Sequence, residues 1–448
     1  MMMRWARSKR WAGGWCCLLS WVILSQAACC QPALGEDWPQ WRGEGRDATI
    51  DDPSLVRQLP GGQVPLRWSV PVGPGYSGPT ISDGAVFLTD RQGEAPQVRE
   101  RVLCFDAATG KLIWQHSDPV GYKIGYEASG PRAAVTVHGS QAIAVGGMGR
   151  LNCLDAKTGD VIWSRDLDQD YQIRMPNWGI TAAPLVFEDL VIQVTGGRDG
   201  ACVVAFDLAS GKERWKALDE KAGYSAPIMI RQGDQDVVVC WTGESVSGLD
   251  PRSGETFWSI EMKPRNMPIG VPTPVVSGDR LFVSSFYDGS MLIKLDLSAP
   301  KATKLWHRIG QDEKNTDALH AMISGPIIKG DAIYGADSYG EFRCLDLKTG
   351  DRIWEDRSVV PINRWATVHT IRNGDDEIML NDQGELLFAT LSRDGIEIRS
   401  RSQLIAPTLK QLRRRGGVVW SHPAIANGMI YARNDKELVC ASLRAERE

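Results

Sequence analysis

One nine-residue pattern, Asp-x-x-[Thr/Ser]-Gly-x-x-x-Trp, constrains this chain more than any other feature of its sequence. The pattern occurs in five complete copies, and a sixth copy, Asp296–Trp306, is two residues longer and lacks the glycine. The tryptophans that end successive copies of the pattern are 43 residues (Trp215 to Trp258) to 52 residues (Trp163 to Trp215) apart. A period of this length is typical of a propeller blade and not of a helical repeat. The five complete copies are Asp106–Trp114, Asp155–Trp163, Asp207–Trp215, Asp250–Trp258 and Asp346–Trp354.

A second hairpin precedes each copy of the pattern. A proline leads an apolar strand, a turn with glycine follows, and a second apolar strand comes next, as in Pro79–Phe87. Glycine suits such turns because it adopts positive φ without steric cost. In the motif itself, we expect Asp to accept hydrogen bonds from the backbone of its own turn and Gly to be left-handed. The tryptophan is large enough to cover the seam against a neighbouring blade.

Eight outer strands can be counted along the chain. The three strands over residues 418–443 lack a following tryptophan strand, whereas the strand at residues 66–69 lacks preceding partners. If the two ends pair, the ring closes and no sheet edge stays open. The sequence therefore predicts an all-β, eight-bladed β-propeller over residues 66–445, with an N-terminal strand closing the C-terminal blade. The outer strands contain Trp68, Trp114, Trp163, Trp215, Trp258, Trp306, Trp354 and the degenerate segment Ile396–Arg399.

Residues 1–35 have the composition of a signal peptide. Four basic residues lie within residues 4–10, and an apolar stretch covers residues 15–28. The small residues Ala33 and Gly35 fit cleavage before Glu36. The apolar stretch is too short for a transmembrane span, so we expect export to the periplasm or the cell exterior with no transmembrane span after cleavage. Lipid attachment at Cys29 or Cys30 is an alternative.

Residues 36–65 form a tryptophan-rich N-terminal extension, and we expect Trp38 and Trp41 to pack over a groove. Removal of residues 1–35 leaves 51 − 4 = 47 basic and 55 acidic residues, a net charge of 47 − 55 = −8. This acidic balance disfavours nucleic-acid binding, which requires a basic face. Equivalent cysteines of different blades should lie beyond the ~7 Å limit for a disulfide, so we expect buried free thiols at Cys104, Cys153, Cys344 and Cys440.

The repeat resembles that of the quinoprotein dehydrogenases, whose eight blades surround pyrroloquinoline quinone. It is equally similar to the repeat of the outer-membrane assembly protein BamB, which binds no quinone. The resemblance covers residues 66–445. It implies the propeller fold, but it leaves the activity open because one fold supports many functions. The segment Asp37–Gly43 is also similar to the tryptophan-rich leader of exported quinoprotein-like proteins.

The chain departs from the dehydrogenase pattern at the cofactor. Some dehydrogenases stack a disulfide of adjacent cysteines on the quinone, but no Cys-Cys pair follows residue 35. The resemblance also implies that a calcium-dependent quinone site needs a Glu, an Asn and a catalytic Asp at the mouth of the ring. The candidates here are Glu127, Asn177 and Asp317. No Cys-x-x-Cys-His pattern for haem attachment is present.

Aromatic, arginine and histidine residues recur just before the innermost strands, in loops that share one face of the ring. Such a mouth suits a flat anionic ligand or a partner peptide. An alternative is that the rings only pack against one another where the funnel narrows. The candidate binding residues are Tyr76, Tyr126, Glu127, Arg132, Arg174, Asn177, Trp178, Tyr224, His320, Arg364, Trp365, Trp420 and His422, with His369 nearby.

These features favour a non-catalytic scaffold of the cell envelope that binds a protein or a polymer. We expect a monomeric ring without a cofactor, a metal or a nucleic-acid partner. The alternative is a dehydrogenase of alcohols or sugars that uses pyrroloquinoline quinone with Ca²⁺. A third possibility is a sensor of small molecules or a carbohydrate-binding protein, which would use the aromatic residues.

Overall fold

The computed structural model describes residues 36–124, 130–408 and 416–444. The predicted signal peptide, Cys29 and Cys30 lie outside these ranges. The helix α1 (Leu167–Tyr171) is short, and no helix within these ranges has the length and apolar character to cross a membrane.

The strands form eight sheets, each of which is one blade. The chain first forms β1 (Thr49–Ile50) and β2 (Leu66–Pro71). From the innermost strand outward, blade 1 contains β3 (Thr80–Ser82), β4 (Ala85–Gln92), β5 (Arg99–Asp106) and β6 (Leu112–Pro119), and blade 2 contains β7 (Thr136–His138), β8 (Gln141–Val145), β9 (Arg150–Asp155) and β10 (Val161–Asp166). In the same order, blade 3 contains β11 (Leu185–Phe187), β12 (Leu190–Val194), β13 (Val203–Asp207) and β14 (Glu213–Ala217), and blade 4 contains β15 (Ile228–Gln232), β16 (Gln235–Trp241), β17 (Ser245–Leu249) and β18 (Thr256–Glu261).

The second half of the ring has the same order within each blade. Blade 5 contains β19 (Val275–Ser277), β20 (Arg280–Ser285), β21 (Gly289–Leu295) and β22 (Ala302–Arg308), and blade 6 contains β23 (Ile327–Lys329), β24 (Ala332–Ala336), β25 (Phe342–Asp346) and β26 (Arg352–Asp356). Blade 7 contains β27 (Val368–Asn373), β28 (Asp376–Asn381), β29 (Glu385–Ser392) and β30 (Gly395–Gln403). Blade 8 contains β31 (Ala424–Ala426), β32 (Met429–Arg433) and β33 (Glu437–Ser442), with β2 outermost.

The two ends of the chain share blade 8, as the sequence predicts. Strand β2 pairs antiparallel with β33, so that Trp68 lies opposite Cys440 and Val70 opposite Leu438. The innermost strand β3 contacts both β7 of blade 2 and β31 of blade 8, which completes the circle. The eight-bladed all-β propeller is therefore confirmed. Blade 7 differs from the expected four strands because β1 adds to β27 in parallel as a fifth.

The motif aspartate organises the outer hairpin of the blades that contain the motif. The Asp106 carboxylate accepts hydrogen bonds from the Thr109 backbone N–H at 2.8 Å and from the Thr109 hydroxyl at 2.6 Å. These bonds stabilise the charged form and lower the pKa of Asp106. The Gly110 N–H donates to the Asp106 carbonyl, and Gly110 has a φ of 71°. The predicted roles of Asp and Gly within the turn are thus confirmed.

The motif glycine has a further role, which is to contact the tryptophan of the preceding blade. A Cβ atom on Gly159 of blade 2 would lie 2.6 Å from the Trp114 ring of blade 1. The Trp114 indole N–H also donates to the Ala156 carbonyl of blade 2 at 3.0 Å. The same contact recurs at four other seams, in the pairs Trp68–Gly110, Trp163–Gly211, Trp215–Gly254 and Trp306–Gly350.

The copy without glycine is joined to its neighbour by a different contact. At the seam between blades 4 and 5, the Trp258 indole N–H donates to the side-chain oxygen of Gln232 at 2.9 Å. The Gln232 amide then donates to the carbonyls of Asp296 and Lys301 in blade 5. One buried glutamine therefore replaces the direct contact between tryptophan and turn where the hairpin is two residues longer.

The seam between blades 7 and 8 has no tryptophan on its outer strand, β30. The N-terminal extension covers this seam with residues 52–64, which we call the seam segment. The Val56 N–H donates to the Leu443 carbonyl of blade 8 at 2.7 Å, and the Val64 N–H donates to the Gln403 carbonyl of blade 7 at 2.9 Å. Its side chains at Leu55, Leu59 and Val64 are buried in the same apolar cluster as Leu404, Ile405 and Leu443.

Residues 37–50, which we call the central segment, lie in the channel that the innermost strands surround. Trp38 exchanges two backbone hydrogen bonds with Ile81 of blade 1. The Arg46 side chain reaches the carbonyls of Ala183 in blade 3 and Pro227 in blade 4. Burial lowers the pKa of Arg46 to about 9. The extension therefore fills the channel, whereas we expected its tryptophans to pack over a groove.

The six cysteines of the described residues are free and buried. Burial raises the pKa of Cys104 and of Cys153 to about 12, so both stay neutral thiols. They lie on the third strand of their blades, in the apolar layer between blades.

The contact between glycine and tryptophan can be tested with two alanine substitutions. Gly159→Ala should lower the free energy of unfolding by about 2–5 kcal/mol, because alanine is strained at a φ of 77° and its methyl group collides with Trp114. Gly84→Ala is the control, since Gly84 has a φ of 72° with nothing within 4 Å. It should lose only about 1–2 kcal/mol. Equal losses in denaturant unfolding would contradict the assigned role of the contact.

Candidate functional site

The mouth of the channel contains a cavity of about 120 Å³, to which all eight blades contribute. Most of the lining residues occupy equivalent positions in the repeat, four residues before the innermost strand of their blade. Examples are Tyr76 before Thr80, Arg132 before Thr136 and Trp420 before Ala424. The lining consists of Trp41, Tyr76, Arg132, Trp178, Thr181, Tyr224, Ala226, Val271, Met322, Ile323, Trp365 and Trp420.

Five aromatic rings predicted at the mouth form one connected set. Trp178 of blade 3 contacts Trp365 of blade 7 across the ring, with centroids 6.2 Å apart and planes at 89°. Trp178 also lies 5.1 Å from Tyr224, and Trp420 lies 6.1 Å from Trp365 and 6.2 Å from Tyr76. These are the tilted and offset geometries that aromatic pairs prefer. The rings therefore both pack with one another, as the alternative interpretation held, and enclose a cavity.

The three mouth arginines differ in their partners. Arg364 forms an ion pair with Glu313 at 2.6 Å, and its guanidinium lies 4.7 Å from the centre of the Trp365 ring. Arg174 is paired with Asp219. Arg132 lies 4.7 Å from the centre of the Tyr76 ring, and no carboxylate of the described residues forms an ion pair with it. Among the described residues, Arg132 is also the one charged side chain that lines the cavity.

The central segment forms the floor of the cavity through Trp41. The Trp41 indole N–H donates to the Thr273 hydroxyl at 2.8 Å, and its ring lies 5.3 Å from that of His422. His422 also stacks on Trp38 and contacts His369 at 4.9 Å. Both histidines are buried, and burial lowers the pKa of His369 to about 4 and that of His422 well below its ordinary value. His422 therefore supports the floor as a neutral ring and does not line the cavity.

His320 is brought near the mouth but serves the fold. It is buried, and its ring nitrogens accept from the Gly310 N–H and donate to the Phe286 carbonyl, both at 3.0 Å. Its pKa is lowered, chiefly because of burial. With both nitrogens bonded to backbone, His320 fixes loops of blades 5 and 6 and has no capacity left for a ligand.

The residues that a calcium-bound quinone would need are not brought together. Asn177 is exposed and does not line the cavity, and Asp317 holds Arg308 in an ion pair at 2.8 Å. Glu127 and Tyr126 lie outside the described residues. In the part of the chain that the structure describes, no three His, Cys, Asp or Glu side chains form a metal-binding group. The donor set therefore does not fit pyrroloquinoline quinone with Ca²⁺.

Several lining residues were not predicted from the sequence. Thr181, Val271 and Ile323 complete the ring in blades 3, 5 and 6. The register would have found them, since each stands four positions before Leu185, Val275 and Ile327 respectively. Trp41 could not be found in this way, because it reaches the cavity from the N-terminal extension, which is not part of any repeat.

Comparison with known proteins gives matches to one family and to solved propellers. The family described as outer membrane protein assembly factor BamB matches residues 98–356. The BamB of Shewanella oneidensis is 22% identical over 217 residues, which are 48% of this chain and 51% of that protein. The chain therefore spans about half the length of this curated relative.

Two solved structures resemble the fold over most of its length. BamB from Moraxella catarrhalis superposes with a TM-score of 0.57 at 17% identity, covering 86% of this chain and 99% of that chain. The quinohemoprotein alcohol dehydrogenase from Comamonas testosteroni superposes with a TM-score of 0.64 at 13% identity, covering 92% and 81% respectively. At these identities the likeness shows the propeller fold alone.

The buried histidines below the floor predict that acid destabilises the protein. The unfolded chain binds a proton at His369 below about pH 6.5, whereas the folded chain does so only near pH 4. Stability contributed by the neutral ring is therefore present above pH 6.5 and is lost as the pH falls towards 4, by on the order of 3 kcal/mol. Urea unfolding at pH 7.5 and at pH 4.5 measures this loss.

Two substitutions locate the effect. His369→Gln should reduce the difference in stability between the two pH values, because glutamine keeps a donor for the Trp420 carbonyl and does not titrate. The exposed His138 offers the control His138→Gln, which should leave that difference unchanged. If His369→Gln shows the full difference of the parent protein, His369 is not its source.

Proposed function

We infer that this chain, which belongs to the family described as outer membrane protein assembly factor BamB, is an exported, non-catalytic β-propeller that binds a protein or polymer partner in the cell envelope. The description of the family supports a role in assembly at the envelope. The signal-like composition of residues 1–35 supports export. Cleavage before Glu36 would leave the whole central segment, residues 37–50, in the mature protein. Within that segment, the Asp37 carboxylate accepts a hydrogen bond from the Asp83 backbone N–H at 2.9 Å.

The aromatic mouth cavity is the observation that carries the binding role. Large aromatic residues and arginine are the residue types that contribute most to binding energy at protein interfaces. Here they come from several blades, and a rigid ring of sheets fixes their positions. A preformed, mostly apolar pocket with few polar groups is also typical of ligand sites. A residue of a partner can therefore be held without a large ordering cost.

The alternative, a quinone-dependent dehydrogenase, has less support. Its solved relative shares the fold at 13% identity. The part of the lining that the structure describes contains one arginine and no carboxylate, and the candidate ligands Asn177 and Asp317 lie elsewhere. A fused-ring cofactor with several carboxylates would meet neither the charges nor the metal ligands that it requires.

Export predicts a defined N-terminus. Protein secreted from the full-length gene should begin at Glu36, which mass spectrometry of the N-terminal peptide would show. Ala33→Lys should block this cleavage, because a signal peptidase requires small residues there. A mature protein that begins at Cys29 or Cys30 and carries acyl chains would replace this reading with a lipid anchor.

Binding at the mouth predicts that Trp178→Ala weakens capture of the native partner by the tagged protein from cross-linked envelope fractions. The expected loss is about tenfold or more, because interface tryptophans that fill pockets contribute ~2 kcal/mol or more. Ile113→Ala is the matched control, since Ile113 is 53% exposed on the outer strand of blade 1. It should leave capture unchanged, and circular dichroism should show that both variants stay folded. If capture instead depends on Ile113, the outer rim is the interface.

A further inference from the structure

We propose that the mouth cavity binds a single aromatic ring that carries one carboxylate. The proposal rests on the binding function proposed above for the same site and adds the chemical class of what is bound. Two sources share this chemistry, namely a free aromatic acid and a polypeptide that ends in an aromatic residue. Three properties of the cavity determine which ligand fits it: its volume, the side chains that line it and its charge.

The size of the cavity corresponds to one ring. Its volume is about 120 Å³, close to the roughly 150 Å³ of an engineered apolar cavity that admits benzene. Trp178 and Trp365, which contact each other across the ring, both line this space. A single six-membered ring with a short substituent matches its volume.

The surfaces of the cavity favour a flat, unsaturated occupant. Six of its lining residues are Trp or Tyr, and the remaining apolar ones are Ala226, Val271, Met322 and Ile323. Sugars also stack on aromatic rings, but their hydroxyl groups require several polar partners. Besides the hydroxyl groups of Tyr76 and Tyr224 and the indole N–H groups, the described lining offers two polar side chains, Arg132 and Thr181, and the Thr181 hydroxyl already donates to the Tyr224 carbonyl at 2.7 Å. A carbohydrate, whose hydroxyl groups each need partners, therefore fits this lining less well than a flat ring with one anionic group.

The charge of the cavity selects an anion. Arg364 and Arg174 are neutralised by Glu313 and Asp219, whereas Arg132 forms no ion pair within the described residues. Glu100 attracts Arg132 without direct contact, and burial raises the pKa of the Glu100 carboxyl, which disfavours its charged form. Among the described lining residues there is no carboxylate that could serve as the counter-charge of a cation. A guanidinium presents parallel N–H donors that match the two oxygens of a carboxylate. One arginine balances one negative charge, which favours a monocarboxylate over a phosphate dianion.

A second donor at the site lacks an acceptor. The Trp365 indole nitrogen is buried and has no hydrogen-bond partner among the described residues. Leaving a buried donor unsatisfied is unfavourable, and the backbone at Trp365 is also strained, with a φ of 65°. Such costs cluster at binding sites, where a ligand atom offsets them. A carboxylate oxygen is an acceptor of the kind this lining lacks.

Equilibrium binding of phenylacetate to the purified full chain tests the proposal, with intrinsic tryptophan fluorescence and saturation-transfer NMR as readouts. Phenylacetate should bind at least about tenfold more tightly than phenylacetamide, because the amide lacks the charge-assisted bond to Arg132. Cyclohexylacetate should also bind more weakly, since it lacks the flat ring. Equal binding of phenylacetate and phenylacetamide would overturn the proposal, as would no binding of phenylacetate.

Two variants locate the ligand. Arg132→Met keeps an unbranched apolar side chain and removes the charge, so it should abolish the preference for phenylacetate over phenylacetamide. Trp178→Ala should weaken both ligands, and Ile113→Ala should weaken neither. If Arg132→Met retains the preference for the acid, the carboxylate is bound elsewhere and the proposal falls. Thermal unfolding of each variant in the absence of ligand shows that the ring is intact.

A short peptide that ends in phenylalanine distinguishes the two sources. If the free-acid peptide binds and its amidated form does not, the site accepts a chain end; if phenylacetate alone binds, the site accepts a free acid. Either result supports the shared chemistry. The assay contains no partner, so its failure is distinct from that of the proposed function. Partner capture that depends on Trp178 without any acid binding would refute this inference alone.

Discussion

The stacking of five outer tryptophans on the turn of the next blade is the interaction on which the rest of the structure depends. Strands of neighbouring blades do not pair with one another, so contacts between side chains and turns contribute strongly to the order and spacing of the blades. The indole supplies both a large apolar face and one directed hydrogen bond. The motif glycine is required twice, since its left-handed backbone forms the turn and its missing Cβ leaves room for the ring, as at Gly159 on Trp114.

The three seams without this contact show how the ring tolerates exceptions. Between blades 6 and 7, the Trp354 indole N–H donates to the Ser392 carbonyl at 3.0 Å. Where the glycine is absent, Gln232 bridges Trp258 to the longer hairpin of blade 5. Where the tryptophan is absent, between blades 7 and 8, the seam segment packs its own apolar side chains into the gap. The chain must cross that seam to travel from the channel to β2 at the rim. The same residues therefore close the ring and connect the central segment to it.

The candidate site follows from this arrangement. Seven equivalent positions, four residues before the innermost strands, and Trp365, three residues before β27, converge on the axis because the blades repeat around it. The central segment fills the channel below them and ends the cavity at Trp41. Repetition supplies the ring of side chains, and the non-repeating extension supplies the floor. The described lining is mostly apolar and includes one arginine, Arg132, which forms no ion pair within the described residues, whereas Arg174 and Arg364 pair with carboxylates outside the lining.

Periodicity in the sequence determined the blade number, the shared last blade and the turn chemistry of the motif aspartates, because these depend on residues close together in the chain. It also identified six of the cavity residues, including Tyr76, Arg132 and Trp365. The sequence could not distinguish His320 and His422, which are buried supports, from residues of the lining. Only the tertiary structure decided that, together with the path of Trp38 and Trp41 through the channel and the pairing of Gly159 with Trp114. Each of these contacts joins segments far apart in sequence, and their formation depends on the distances that the closed ring imposes.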